Sequence, residues 1–103
     1  MSSMTTINPY ISTPGEVLKE EFLDPLGISQ YRLAIAIKKP QSAISDIIKG
    51  KRMISPDMAV LLGKALGTTP DFWLRLQATY QLKTYDWASH HIDDIPVLVD
   101  AIQ

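Results

Sequence analysis

Between positions 41 and 49 the chain runs Gln41-Ser42-Ala43-Ile44-Ser45-Asp46-Ile47-Ile48-Lys49, and these are the side chains best placed to do chemistry. Read as a helix, the segment turns Ile44, Ile47 and Ile48 inward and Gln41, Ser42, Ser45, Asp46 and Lys49 outward. An ordinary solvated face mixes Glu with Lys, whereas this one is mostly small or amide-bearing. Small side chains let a helix backbone enter a DNA major groove, which is about 12 Å wide. There Gln41 can bond an adenine edge with both ends of its amide, Ser42 and Ser45 can donate or accept, and Ala43 can meet a thymine methyl. Lys38 and Lys39 precede the segment and Lys51 and Arg52 follow it, where phosphates would run. The plain alternative is a short surface helix with no ligand.

Other chemistries find less support. The chain has no cysteine, so disulfides and thiolate metal sites are excluded. His90 and His91 with Asp93 and Asp94 suggest a metal cluster, but adjacent histidines on regular backbone diverge and cannot share one ion. Glu16, Glu20 and Glu21 lack a nucleophile with an adjacent base, and no glycine-rich phosphate cradle is present. Neither an enzyme nor a cofactor is expected. No run of 18 apolar residues occurs, and residues 1–10 lack the layout of a signal peptide. A soluble, cytoplasmic protein without membrane contact is the expectation.

The net charge of −1 hides an uneven distribution. Residues 1–31 carry a balance of −3, residues 32–52 one of +5, and residues 53–103 again −3. A basic middle between acidic flanks suits a chain that offers one face to phosphate and others to different partners. A solvated basic loop would give the same charges.

Five helices must position these residues. Thr13, with Pro14 at the first helical position and Glu16 reaching back, opens the first, which places Leu18 and Phe22 toward the core. Asp24-Pro25-Leu26-Gly27 is expected to stop it, because the residue before proline avoids the helical region and Gly27 relieves the turn. Ser29 opens the second helix, with Leu33, Ala34 and Ile37 inward; its free N–H groups and the Gln30 amide suit a phosphate. The third is the segment already described, with Gly50 as its left-handed stop. Ser55-Pro56-Asp57 and Thr69-Pro70-Asp71 open the fourth and fifth, each pairing a cap with a preset φ and an acid at the positive helix end. Trp73, Leu76 and Tyr80 form a stripe on the fifth, read either as core or as a dimer contact. Trp87, Ile92, Ile95, Val97, Leu98, Val99 and Ile102 make the tail too apolar for disorder. It reads as a short strand or a helix broken by Pro96, packed on the body or on a second subunit. The organisation expected is an arm (1–12), a helix-turn-helix domain (13–83) and a contact tail (84–103).

Over residues 14–82 the chain closely resembles the HigA-type antitoxins, a branch of the Xre/Cro-like helix-turn-helix proteins. The matching stretches are Pro14-Gly15-Glu16-Val17-Leu18-Lys19-Glu20-Glu21-Phe22-Leu23 and Pro25-Leu26-Gly27-Ile28-Ser29-Gln30-Tyr31-Arg32-Leu33-Ala34. Ile44-Ser45-Asp46-Ile47, Gly50-Lys51-Arg52, Ile54-Ser55, Ala65-Leu66-Gly67 and Phe72-Trp73-Leu74-Arg75-Leu76-Gln77 continue them. The resemblance implies an all-α, five-helix, lambda-repressor-like fold, a homodimer, operator DNA as ligand, and neutralisation of a HigB-like mRNA endonuclease toxin. DNA contacts would fall on Gln30, Lys39, Gln41, Ser42, Ala43, Ser45, Lys49, Lys51 and Arg52. Dimer or partner contacts would fall on Trp73, Leu76, Tyr80 and Trp87, and toxin contacts on Glu16, Glu20 and Glu21. Lys38 departs from the family, which usually has glycine there, as do Lys39, where a buried valine is usual, and Ile35, where a cation is common. A lysine with positive φ is strained by on the order of 1 kcal/mol, unless the turn takes another shape. A stand-alone repressor without a toxin, or an interaction module that has lost DNA binding, are the alternatives.

Overall fold

A computed structural model describes residues 12–99 of the chain. Most of the arm, together with Asp100 and Ile102 of the tail, lies outside the described residues. Helix α1 runs over residues 14–26 in three windings: α-helical Pro14–Val17, π-helical Leu18–Leu23 and α-helical Asp24–Leu26. Helices α2 (Gln30–Ile37), α3 (Gln41–Ile48), α4 (Pro56–Leu66) and α5 (Pro70–Lys83) follow, then a single 3₁₀ turn at Ile92–Asp94. No strand occurs among the described residues, so the fold is all-α.

The caps form where the sequence puts them. Thr13 and Glu16 make a reciprocal capping box, with the Thr13 N–H donating to Glu16 Oε1 at 2.8 Å and the Glu16 N–H donating to Thr13 Oγ1 at 3.1 Å. Ser29, Ser55 and Thr69 each accept an N–H from the residue three positions on. Each bond satisfies a donor that the first helical turn leaves unpaired.

The middle of α1 departs from expectation. Asp24 keeps helical angles although it precedes proline, and the helix continues through Pro25 to a left-handed stop at Gly27. The wider winding supplies the reason: the Asp24 N–H bonds five residues back, to Lys19 O. That leaves room for a pyrrolidine ring that would collide with a carbonyl in a tighter turn. It also brings residues five apart onto one face, so Leu18 and Leu23 are the fully buried pair. Phe22, expected to share the core face with Leu18, is half-buried and meets the rings of Phe72 and Trp73 at 6.0 and 5.3 Å.

α1 packs on α3 and α5, α2 on α3 and α4, and α4 on α5. The core they enclose centres on Leu18, Leu33, Ile44, Ile47, Leu62 and Trp73. Burying side chains of this size contributes about 1.5–3 kcal/mol each. Trp73 is wholly enclosed and its indole N–H donates to Thr68 Oγ1 at 2.7 Å, so its place on the fifth-helix stripe is a core place. It is not available as a dimer contact. Past α5 the described end of the tail is open: Ile95, Val97, Leu98 and Val99 are between 66% and 88% exposed.

Lys38 adopts the left-handed conformation, φ 60° and ψ 44°, and the Lys39 N–H closes the turn on Ala34 O at 3.0 Å. The glycine-like turn geometry is therefore kept at the expense of backbone strain. Lys38→Gly is expected to stabilise the domain by about 0.5–1 kcal/mol, the relief of strain exceeding glycine's larger unfolded-state entropy. Urea unfolding checks this; a lower midpoint for the variant would show that Lys38 is at ease in the turn.

Candidate nucleic-acid interface

The seat of α3 begins with a missing side chain. A Cβ on Gly15 would fall on the Ile47 carbonyl oxygen and within 2.7 Å of Ile48 Cα. The start of α1 thus meets the end of α3 backbone to backbone, and no side chain fits between them. From beneath, Ile44 and Ile47 lock α3 into the core at 0% and 2% exposure. From the side, the short turn through Lys38 and Pro40 fixes its angle to α2.

This seating leaves one face of α3 outward. Gln41, Ser42 and Lys49 are exposed, while Ser45 and Asp46 are half-buried at its margin. Ala43 is the exception. At 3% exposure it belongs to the core, so its methyl is withdrawn from the base-reading set. It stands four positions before Ile47, on the same side of the helix, and the packed core encloses both. Of the five helices α3 alone starts without a side-chain cap, because Pro40 stands at that position. The Ala43 N–H turns back to Pro40 O at 3.0 Å, and no side chain caps the N–H groups of Gln41 and Ser42 ahead of it.

Behind α3, Gly50 takes the left-handed angle (φ 76°), and the Lys51 and Arg52 N–H groups both donate to Asp46 O, at 2.8 and 3.2 Å. The loop curls back over the helix end and sets Lys49, Lys51 and Arg52 in the open beside the outward face. Arg52 lies 3.7 Å from the Asp46 carboxylate, and Lys39 lies 3.5 Å from that of Asp57. Lys39, Asp57 and Arg52 are exposed and Asp46 is partly so, so these pairs are weak and would exchange readily with phosphate. Lys39 sits in water and not in the core place usual for the family's valine. Gln30 is half-buried at the first turn of α2.

Sequence reasoning missed Gln77. Its amide grips the backbone of Ile54 at both ends: the Ile54 N–H donates to Gln77 Oε1 at 2.6 Å, and Gln77 Nε2 donates to Ile54 O at 2.9 Å. The available signal was a polar residue four places from Trp73, on the face of α5 that should be apolar.

The remaining candidates lie elsewhere. Leu76 and Tyr80 are half-buried on α5. Trp87 is 56% exposed, with its ring 5.1 Å from that of Tyr85. On α1, Glu20 and Glu21 are exposed, but Glu16 is engaged by the Thr13 N–H. Asp24 pairs with Lys19 at 2.9 Å, and its hydrogen bond and charge raise the Lys19 ammonium above the ordinary lysine pKa. His90 stacks on Tyr85 and its Nδ1 lies 2.7 Å from Asp86 O. Among the described residues no group of three or more His, Asp or Glu is placed to hold a metal ion, and no helix is long and apolar enough to cross a membrane.

Two helices joined by a tight turn, the second seated with a polar face outward, define a helix-turn-helix protein, and residues 18–73 match the family described as Helix-turn-helix. The chain is 43% identical to antitoxin HigA-1 of Vibrio cholerae over 68 residues, 66% of this chain and 64% of that protein. The structure of Pseudomonas aeruginosa antitoxin HigA with the higBA promoter matches it with a TM-score of 0.76 at 37% identity, over 85% of this chain and 98% of that one. Antitoxin GraA in complex with its operator matches with a TM-score of 0.79 at 32% identity, over 96% and 100%. The chain belongs to the HigA-type antitoxin branch of the helix-turn-helix DNA-binding proteins.

Proposed function

We propose that this protein binds its own operator as a two-fold dimer, represses its operon, and neutralises a HigB-like mRNA endonuclease toxin. The observation that carries the DNA half is the outward face of α3, uncapped at its start and followed by the cationic loop, in a chain whose HigA relative was solved on its promoter. α3 enters the major groove, with Gln41, Ser42 and Ser45 at base edges. Lys39, Lys49, Lys51, Arg52 and the Gln30 amide meet phosphates on either side, which fixes register without reading sequence. Lys38 holds the left-handed angle that a glycine would take at this turn, which supports the DNA-binding reading over a module that has lost it.

Dimerisation rests on what a single chain leaves uncovered. Among the described residues Trp87, Ile95, Val97, Leu98 and Val99 are exposed, and Leu76 and Tyr80 on α5 are partly so, which leaves apolar surface for a partner. A second copy related by a two-fold axis covers it and sets the reading helices about 34 Å apart, so the operator is an inverted repeat. For the toxin, Glu20 and Glu21 on α1 supply an exposed acidic site, to which Glu16 adds less because it is held by its cap. An endonuclease that cuts mRNA needs a basic surface, and opposite charge speeds encounter with it.

The DNA half is tested by contrasting two double variants on promoter and random DNA. Gln41→Ala with Ser42→Ala is expected to lose about 1–3 kcal/mol on the promoter and little on random DNA. Lys51→Ala with Arg52→Ala is expected to weaken both, flattening the salt slope by about one per cation. Losses of the same kind from both variants would contradict the division into reading and positioning residues. For the toxin half, Glu20→Lys with Glu21→Lys is expected to slow toxin association severalfold and leave promoter affinity equal or slightly higher. An unchanged association rate moves the toxin site off α1.

A further inference from the structure

We infer that Gln77 is a positioning residue for operator binding: its two-ended grip on the Ile54 backbone sets the course of the loop that presents Lys51 and Arg52 to phosphate. The inference rests on the DNA-binding reading above and adds to it a residue with no DNA contact of its own.

The loop over residues 50–55 is short, largely exposed, and built around one left-handed residue. Its near end is tied to α3 by the two N–H groups that share Asp46 O. Its far end has no such local bond until Ser55 caps α4. Between them the bond pair from Gln77 fixes both the N–H and the C=O of Ile54, whose side chain is 2% exposed. Two parallel bonds to one residue set its peptide planes as well as its position, so the Met53 and Arg52 backbone has little freedom left. Gln81, one turn further along α5, adds a contact from its amide to Met53 Sδ at 3.6 Å.

The anchor is itself rigid. Gln77 stands one helical turn from Trp73, which is fully buried and bonded to Thr68. The grip therefore ties the cationic loop to the core through α5, over 23 positions of sequence. Tyr80 and Leu76, proposed for the dimer contact, flank Gln77 on the same helix. The position of the phosphate-binding loop thus follows that of α5, and each half of a dimer would hold its loop through its own interface helix.

The test uses the full-length protein, with Gln77→Leu and Gln77→Glu. Leucine removes both bonds. Glutamate keeps an acceptor for the Ile54 N–H, but when ionised it faces the Ile54 carbonyl with an oxygen in place of a donor; protonation restores the donor. Both variants are expected to lose roughly tenfold in affinity at neutral pH on promoter and random DNA alike, with a salt slope flatter by up to about two. The loss in Gln77→Glu, measured relative to wild type, is expected to recover as pH falls toward 5, while that of Gln77→Leu does not. In the Lys51→Ala, Arg52→Ala background, Gln77→Leu is expected to cost little more, since the residues it positions are gone. Exchange of the Ile54 amide, followed by NMR at a temperature where each variant is folded, is expected to quicken in Gln77→Leu. Wild-type affinity in Gln77→Leu, or losses that add fully in the combined variant, would overturn the inference while leaving operator binding intact. A wild-type protein that does not prefer its promoter would overturn the DNA-binding reading itself, and the positioning role with it.

Discussion

Everything the reading helix does depends on a contact between two stretches of backbone. Gly15, at the first turn of α1, lies against the Ile47 carbonyl at the last turn of α3, where any side chain would have to displace one helix. Close-packed interiors do not absorb such a displacement locally, because neighbouring side chains are already in contact. With the contact in place, Ile44 and Ile47 sink into the core and the opposite face, from Gln41 to Lys49, is turned to solvent as a unit. The capping box ahead of Gly15 serves the same end, since it fixes where α1 starts and so where the glycine falls.

Around that seat the molecule divides its charges by position. The cations gather where α3 ends and its loop begins, lightly held by Asp46 and Asp57 in weak solvent-exposed pairs. Such pairs have little effect on stability. The acids Glu20 and Glu21 stand on the π-helical winding of α1, away from the α3 loop in sequence and on a different element. The apolar surplus is left to α5 and the tail. Three kinds of surface on one small domain suit the function proposed above, in which DNA, a second copy and a toxin each take one.

What was legible in the sequence was what four or five consecutive residues decide. The caps at Thr13, Ser29, Ser55 and Thr69 are local bonds, and each formed as read. The outward face of α3 was legible from the period of its isoleucines. Periodicity gives an angle around the helix but not the width of the buried sector, so Ala43 was placed outside when the core encloses it. The π winding was not legible, because no local preference marks it; it is the packing of both Leu18 and Leu23 that selects it. Pro25 was therefore read as a stop when the wider turn accommodates it. Trp73 could be assigned to core or interface only once Thr68 was seen to satisfy its indole. Gln77 was marked only as a polar residue on an apolar face, and its partner Ile54 was out of reach because it lies far back along the chain.

The most direct test of this account replaces the one residue whose absence of a side chain seats the reading helix. Gly15→Ala is measured for unfolding free energy and, at a temperature where it remains folded, for affinity to promoter and random DNA. The account predicts a loss of about 1–3 kcal/mol or more in stability from overpacking, displaced amide resonances in α3, and discrimination between the two DNAs reduced at least tenfold. An alanine variant as stable and as selective as the wild type would contradict it, because α3 would then owe its placement to something other than its contact with α1.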